Sequence, residues 1–134
     1  MAKRTTARRL AMQALYQAES ANIGIDEALE NIFSAEEKLF GETKSFAEKL
    51  AREAWADRAD SDKVIEEFAI DWPLERIGKV DRGILRLAVH EIRSKETPAS
   101  VVADEAVELA KKYSSPEAAK FINGILGSYL RKSP

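Results

Sequence analysis

Apolar residues recur along almost the whole chain at spacings of three and four, which is the period of one face of an α-helix. The first such stripe, predicted to be buried, consists of Ala7, Leu10, Ala11, Ala14, Leu15 and Ala18. No segment alternates apolar and polar residues as a half-buried strand would, and no two-residue hairpin signal occurs. The sequence therefore predicts an all-α fold of about seven helices.

Breaks in this pattern divide the chain into helices. The first helix is predicted to begin at Thr5 or Thr6, either of which is a good N-cap, and a later break is predicted at residues 59–62. Pro73 disfavours helical geometry at Trp72 and marks the middle of the chain. We expect one domain over residues 1–134, in which a helical half at about 1–72 packs on another at about 73–134, because each half alone is close to the lower size limit for independent folding.

The composition narrows the class of protein. The 134-residue chain contains no cysteine and a single histidine, so disulfides, thiolate metal sites and histidine-pair metal sites are excluded, and we expect neither a metal nor a cofactor. No apolar run approaches the ~20 residues that span a bilayer, and no membrane segment is predicted. The basic N-terminus lacks the apolar core of a signal peptide, so a cytoplasmic, unprocessed protein is expected.

No combination of residues indicates catalysis. His90 falls among arginines on a helix face that is predicted to be exposed, where a solvated or partner-contacting residue is the simpler interpretation. Glu105 and Glu108 are three residues apart, as acids on many surface helices are. Gly124 and Gly127 lack the strand-to-helix setting of a phosphate-binding loop. The sequence predicts no catalytic residues, and an enzyme is not expected.

The charge of the chain is small in total but unevenly distributed. The formal net charge of −2 disfavours a protein that coats nucleic acid regardless of sequence. However, the first nine residues contain no acid and four cations, whereas residues 26–42 are acidic and contain a single lysine, Lys38. Any RNA site must therefore be local, and the basic start is either part of it or a solvated, frayed terminus.

Two places in the sequence combine a cation with an aromatic residue on a helix. Arg9 and Tyr16 are seven residues apart and so share the outer face of the first helix. Lys120 and Phe121 follow a Ser-Pro step that predicts the N-cap and first turn of a new helix. Aromatic rings stack on the bases of single-stranded RNA while cations hold the phosphates, so both places are candidate RNA contacts. The alternative for Phe121 is an ordinary core residue, because helical aromatics usually pack inward.

Three segments resemble the NusB transcription antitermination factors, in the right order and at compatible spacing. They are ARRLAMQALYQAE at residues 7–19, VDRGILRLAVHE at 80–91, and the pair EAVELAKKYS and KFINGIL at 105–114 and 120–126. The likeness covers nearly the whole chain and is weak only at residues 20–44, whose role it leaves unassigned. The resemblance implies an all-α fold of two packed helical bundles.

The resemblance also implies a function and a set of site residues. Members of the family bind the boxA element of ribosomal RNA leader transcripts as single-stranded RNA, together with the ribosomal protein NusE, on transcribing RNA polymerase. By position, the implied RNA contacts are Lys3, Arg4, Arg8, Arg9, Tyr16, Glu117, Lys120 and Phe121. Asp81 corresponds to a residue that contacts the ribosomal protein, and Arg82 and Arg86 are candidates by proximity on the same helix.

One departure from the family pattern affects the expected affinity. Thr5 and Thr6 interrupt an arginine run that is often denser in the family, which predicts weaker RNA binding and more dependence on the partner protein. Some members are homodimers that bury the RNA face, and the sequence is compatible with a monomer or a homodimer. The rival functions are a helical adaptor that binds only proteins, through the face of Asp81 and Arg86, and the RNA-binding appendage of an rRNA methyltransferase. The absence of a glycine-rich cofactor loop disfavours the second.

Overall fold

The computed structural model describes the backbone of residues 2–132 and the side chains of residues 4–132. This part of the chain forms seven α-helices and one 3-10 helix, and it contains no strand. The helices are α1 (Ala2–Ala21), α2 (Ile25–Ser34), α3 (Gly41–Ala56), α4 (Arg58–Phe68), α5 (Lys79–Ser94), α6 (Ala99–Tyr113) and α7 (Pro116–Lys132), with the 3-10 helix at Leu74–Arg76. The predicted all-α fold of about seven helices is confirmed.

Helix α1 begins earlier than the sequence predicts. It starts at Ala2, so Thr5 and Thr6 lie within its first two turns and do not cap it. The predicted apolar stripe from Ala7 to Ala18 is buried throughout. The basic start of the chain is therefore the N-terminal end of a packed helix and not a separate arm.

The predicted break at residues 59–62 is wrong. Helices α3 and α4 are separated by a single residue, Asp57, and residues 59–62 form the first part of α4. Ser61 within this segment is completely buried, while Asp60 is exposed. The polar residues that suggested a break are thus the two sides of an amphipathic helix, and tertiary packing outweighs their low helix propensity.

Helix α5 is the centre of the fold. It contacts α1, α3, α4, α6 and α7, and almost every residue from Gly83 to Ile92 is buried. Helices α1, α2 and α3 pack on one another, and α6 pairs with α7. Helix α4 precedes Trp72 in sequence but packs on α5 and α7, so the two halves of the sequence are interleaved in space. None of the helices in the described part of the chain is long and apolar enough to cross a membrane.

The connector at residues 69–78 joins α4 to α5 and is held by its own backbone. The Trp72 amide donates to the Ala69 carbonyl at 3.0 Å, and the Arg76 amide donates to the Pro73 carbonyl at 2.9 Å. Asp71 adopts a left-handed conformation with φ 62°, which a short polar side chain tolerates better than most. This geometry reverses the chain after α4 and leaves Trp72 half exposed at the surface.

Candidate nucleic-acid interface

Tyr16 lies on the outer surface of α1, where 41% of the residue is accessible to solvent. Its neighbours on either side, Leu15 and Gln17, are respectively buried and half-buried. The Tyr16 backbone packs beside α5, since its nitrogen would lie 3.8 Å from a Cβ atom added to Gly83. A rigid helix pair therefore holds the phenol ring at the surface, which leaves the ring available for stacking.

The start of α7 presents the second aromatic candidate. The Ala118 amide donates to the Ser115 hydroxyl at 3.0 Å, so Ser115 caps the helix as the Ser-Pro step predicts. In the following turns Glu117 and Lys120 are exposed, and Lys120 lines a groove of about 550 Å³ between α6 and α7. Phe121 is half-buried and packs against the core with part of its ring. Phe121 is thus a packed residue that also reaches the surface, and a role in RNA contact stays a prediction.

Phe121 has an aromatic neighbour that the sequence interpretation did not include among the site residues. The rings of Trp72 and Phe121 have centroids 6.0 Å apart and are inclined at 57°. Such tilted pairs are favourable because the edge of one ring meets the π-face of the other. The signal in the sequence was a tryptophan directly before Pro73, because a residue in that position is disfavoured from α-helical geometry.

Helix α1, which carries Tyr16, and the connector, which carries Trp72, are both bonded to α5. Glu19, one turn after Tyr16, accepts a hydrogen bond from Arg86 Nη1 of α5 at 2.6 Å and forms an ion pair with Arg82 at 3.7 Å. Arg82 Nη2 donates to the carbonyl of Leu74 at 2.9 Å, which fixes the connector to α5. The same connector places Trp72 against Phe121. The Tyr16 and Phe121 regions are thus linked through α5 and the connector.

The cations at the N-terminal end of α1 differ in solvent exposure and in the partners that they already have. Arg4 is exposed, and its guanidinium lies 4.0 Å above the ring of Phe46. Arg9 is half-buried and pairs with Glu36 of the α2–α3 link at 3.1 Å. The side chain of Lys3 lies outside the described residues. Arg4 is twelve residues from Tyr16, which corresponds to about 18 Å along the helix.

Arg8 is not on the surface, contrary to its expected place in an exposed basic segment. Only 4% of Arg8 is accessible to solvent. Its guanidinium makes a bidentate pair with Glu91 of α5, in which Nε donates to Oε1 at 2.7 Å and Nη2 donates to Oε2 at 2.9 Å. Nη1 also contacts Glu105 of α6 at 3.2 Å, and Thr5 donates to the same carboxylate. Burial opposes the charge of Arg8, but these carboxylates outweigh it and raise the pKa of the guanidinium. Arg8 therefore links α1 to α5 and α6 and is shielded from phosphates.

Arg86 is also buried, although the helical spacing placed it on an exposed face. It is 5% accessible and pairs with Asp62 of α4 through Nε and Nη2, both at 2.8 Å, and with Glu19 of α1. Burial disfavours its charge, yet the two carboxylates raise its pKa, and in return the hydrogen bond from Arg86 lowers the pKa of Glu19. Arg86 is thus enclosed within the chain and cannot meet a partner protein directly in this conformation.

Arg82 and Asp81 lie at the start of α5 and are half-buried. Arg82 donates through Nη2 to the carbonyls of Leu74 and Ile77, while its Nε atom is buried without a hydrogen-bond partner among the described residues. Asp81 stands in the first turn, where its charge complements the helix dipole, and its Oδ1 atom is buried without a hydrogen-bond partner among the described residues. An unpaired buried carboxylate oxygen is costly, so a donor from outside the chain would be favoured there. Of the three expected partner contacts, Arg86 is fully paired within the chain, whereas Asp81 Oδ1 and Arg82 Nε are both left without a hydrogen-bond partner among the described residues.

His90 is less exposed than its predicted face suggests. Its ring nitrogens lie 3.2 Å from Asp57 and 3.4 Å from Glu53, and Arg93 pairs with the same Asp57. Burial raises the pKa of Asp57, but the hydrogen bonds from Arg93 and His90 outweigh it and lower that pKa overall. The group joins α5 to the junction of α3 and α4, and we assign it a structural role.

Comparison with known proteins gives one consistent family. The model of the NusB family matches residues 5–131. The transcription antitermination protein NusB of Symbiobacterium thermophilum is 43% identical over 136 residues, which cover 96% of this chain and 89% of that protein. The protein of the same name from Bacillus subtilis is 38% identical over 127 residues, which cover 94% of this chain and 93% of that protein.

Solved structures agree with the sequence comparison. A chain from the crystal structure of the antitermination factors NusB and NusE in complex with double-stranded RNA superposes with a TM-score of 0.89 at 28% identity, and 98% of each chain is covered. The structure of T. maritima NusB gives a TM-score of 0.86 at 32% identity, with 96% of this chain and 91% of that chain covered.

Proposed function

The chain belongs to the NusB family, and from that premise we propose that it is a transcription antitermination factor that binds RNA together with NusE. The RNA is single-stranded and of the boxA type, and the complex acts on transcribing RNA polymerase in the cytoplasm. The role of the chain is binding and not catalysis. Its relatives are named as transcription antitermination proteins, and one structural neighbour is part of a complex with NusE and double-stranded RNA.

The observation that carries this proposal is the pair of aromatic surfaces around the start of α5. Tyr16 on α1 and Phe121 on α7 both reach solvent, and both are held on packed helices. Exposed rings on a rigid frame suit base stacking, because little conformational entropy is lost when a base docks. Lys120 beside Phe121 forms no ion pair within the described residues, so its charge is free for a phosphate.

The proposed RNA contacts follow from accessibility as well as position. Arg4, Tyr16, Lys120 and Phe121 supply stacking faces and cations, and Arg9 contributes if RNA displaces Glu36. The exposed carboxylate of Glu117 would accept hydrogen bonds from base amino groups and so favour particular bases. Lys3 remains a proposed contact by its position. Arg8 acts by holding α1 in place, and we do not propose it as a direct contact.

The partner site is proposed at the start of α5. Asp81 would pair there with a basic group of NusE, since a charge-assisted contact would satisfy its buried oxygen. Arg82 and Arg86 would support this site from within the chain, because both are held by internal hydrogen bonds. The partner site and the aromatic surfaces would then adjoin each other.

Fluorescence anisotropy with labelled boxA RNA tests the proposal. We expect binding to the single-stranded form, tighter binding when NusE is added, and weaker binding to a scrambled sequence or a pre-formed duplex. Tyr16→Ala and Phe121→Ala should each weaken binding by about 1 to 3 kcal/mol. Val101→Ala removes an exposed apolar side chain from α6 and serves as the control, with no expected effect.

Two outcomes would contradict the proposal. If RNA is not retained either with or without NusE while NusE still binds, the chain is a protein-interaction adaptor. If Phe121→Ala lowers the melting temperature strongly and does not change RNA affinity in the folded protein, Phe121 is a core residue only.

A further inference from the structure

Trp72 is a large aromatic residue that is half exposed, which is unusual for a side chain of this size. It stands in the connector between α4 and α5, where Asp71 has a left-handed backbone and Pro73 follows in extended geometry. The backbone of Trp72 is fixed by the hydrogen bond to Ala69. The connector thus holds the indole ring at the surface by defined backbone geometry.

The indole ring is also supported from the side. Its centroid lies 6.0 Å from that of Phe121, and the 57° inclination means that the two rings meet at an angle without covering each other's faces. With half of the residue accessible, part of the indole surface stays open to solvent. Trp72 therefore extends the aromatic surface that begins with Phe121, on a different element of the fold.

We propose that Trp72 is a further RNA-binding residue, whose indole face stacks on a base next to the one that Phe121 contacts. This inference rests on the proposed function, because it requires that the chain binds RNA. Tryptophan offers a large π-surface, and stacking on it tolerates any base. Trp72 and Phe121 together would hold two bases of the strand at the junction of the connector and α7.

The surroundings of the ring are highly charged, with the exposed acids Asp71 and Glu75 as well as cations in the connector and on α7. Lys120 directly precedes Phe121 on α7, and Arg76 lies in the connector. Both cations are exposed and neither forms an ion pair within the described residues, so both can contact a phosphate. Unpaired cations beside aromatic rings suit a single RNA strand, because the rings can stack on its bases while the cations contact its phosphates. The core of a protein interface would be depleted of charge around such a ring. Ile70, which is 80% accessible and lies two residues before Trp72, provides the test of that alternative.

The experiment compares variants of the full-length chain by anisotropy with boxA RNA in the presence of NusE. Trp72→Leu keeps an apolar side chain against Phe121 but removes the π-face, and it should weaken RNA binding by roughly 5- to 150-fold. Trp72→Phe keeps an aromatic face and should recover most of the affinity. Ile70→Ala is the matched control in the same connector and should bind RNA like the unaltered protein. NusE affinity, measured by calorimetry, should be the same in all of them.

Tryptophan fluorescence gives a second measurement that does not depend on affinity. The chain contains two tryptophans, and Trp55 is half-buried under the guanidinium of Arg58. In a Trp55→Phe variant the emission comes from Trp72 alone and should be quenched when boxA RNA binds. In the reciprocal Trp72→Phe variant the emission of Trp55 should not change.

The outcomes separate this inference from the function on which it rests. If the unaltered protein binds RNA and Phe121→Ala weakens it, but Trp72→Leu binds as tightly, then the inference is wrong and the proposed function stands. If Trp72→Leu and Ile70→Ala both lose NusE and keep RNA, the connector is a protein-docking surface. If the unaltered protein binds no RNA, both proposals are overturned together.

Discussion

Replacing Arg8 with methionine should destabilise the fold strongly although the residue stands in what looks like a solvated basic terminus. The guanidinium makes three close contacts with Glu91 and Glu105, and the side chains of Arg8 and Glu91 are only 5% and 6% accessible. Arg8→Met would leave the Glu91 carboxylate buried without its partner. Breaking a buried pair in this way costs about 3 to 5 kcal/mol. For a chain of this length, the melting temperature should fall by roughly 10 to 20 °C.

A neighbouring arginine provides the control. Arg9 lies on the same helix and pairs with Glu36, but both of those side chains are about a quarter accessible. Such partly solvated pairs contribute about 1 kcal/mol or less, so Arg9→Met should be close to neutral. The double variant Arg8→Met with Glu91→Met should recover most of the lost stability, because apolar replacement of a whole buried pair is often neutral or favourable.

Urea denaturation followed by circular dichroism measures all three variants. The midpoint should fall for Arg8→Met with little change in slope, since the surface exposed on unfolding stays similar. If Arg8→Met proves no more costly than Arg9→Met, then Arg8 is solvated and the buried link between α1, α5 and α6 does not exist. If the double variant is as unstable as the single one, the loss does not come from an unpaired Glu91.

Asp81→Asn removes the charge but keeps the shape of the side chain. It should weaken NusE binding by about 2 kcal/mol or more, while RNA binding by the chain alone is retained. Calorimetry that shows unchanged NusE affinity would contradict the proposed partner contact. The slope of log affinity against log salt should become shallower by about 0.7 in Arg4→Gln, as for one lost phosphate contact, and should stay unchanged in folded Arg8→Met. The pKa values of Glu19 and Asp57 are lowered in the folded state, so at acid pH the folded chain binds fewer protons than the unfolded chain. The free energy of unfolding should therefore decrease as pH falls below the ordinary pKa values of these groups, 4.5 and 3.8. Glu19→Gln should reduce that loss in melts recorded between neutral and acid pH, and an unchanged acid dependence would show that the carboxyl of Glu19 does not contribute.

The helical fold was accessible from the sequence because it depends on local periodicity. The buried stripe of α1, the Ser115 cap of α7 and the turn at Pro73 each follow from residues that are close in sequence. The break predicted at residues 59–62 failed because a buried Ser61 reads as polar in the sequence, and only its neighbours in space show that it is packed.

The candidate site was predicted less completely, since ion pairing depends on residues far apart in the chain. Arg8 and Glu91 are 83 positions apart, and Arg86 and Glu19 are 67 apart, so spacing alone assigned both arginines to the surface. Trp72 lay outside the predicted contacts because its partner Phe121 comes from another helix. Tyr16 and Lys120 lie at the surface where the helical pattern put them.

Photo-crosslinking of boxA RNA that carries a photoreactive base tests the central claim most directly, because it locates the RNA on the chain. With NusE present, mass spectrometry should find the adducts on the peptides that contain Tyr16, Phe121 and Trp72. Adducts confined to the exposed part of α5 around Arg93, or to the α2–α3 link, would place the RNA elsewhere and contradict an aromatic surface around the start of α5.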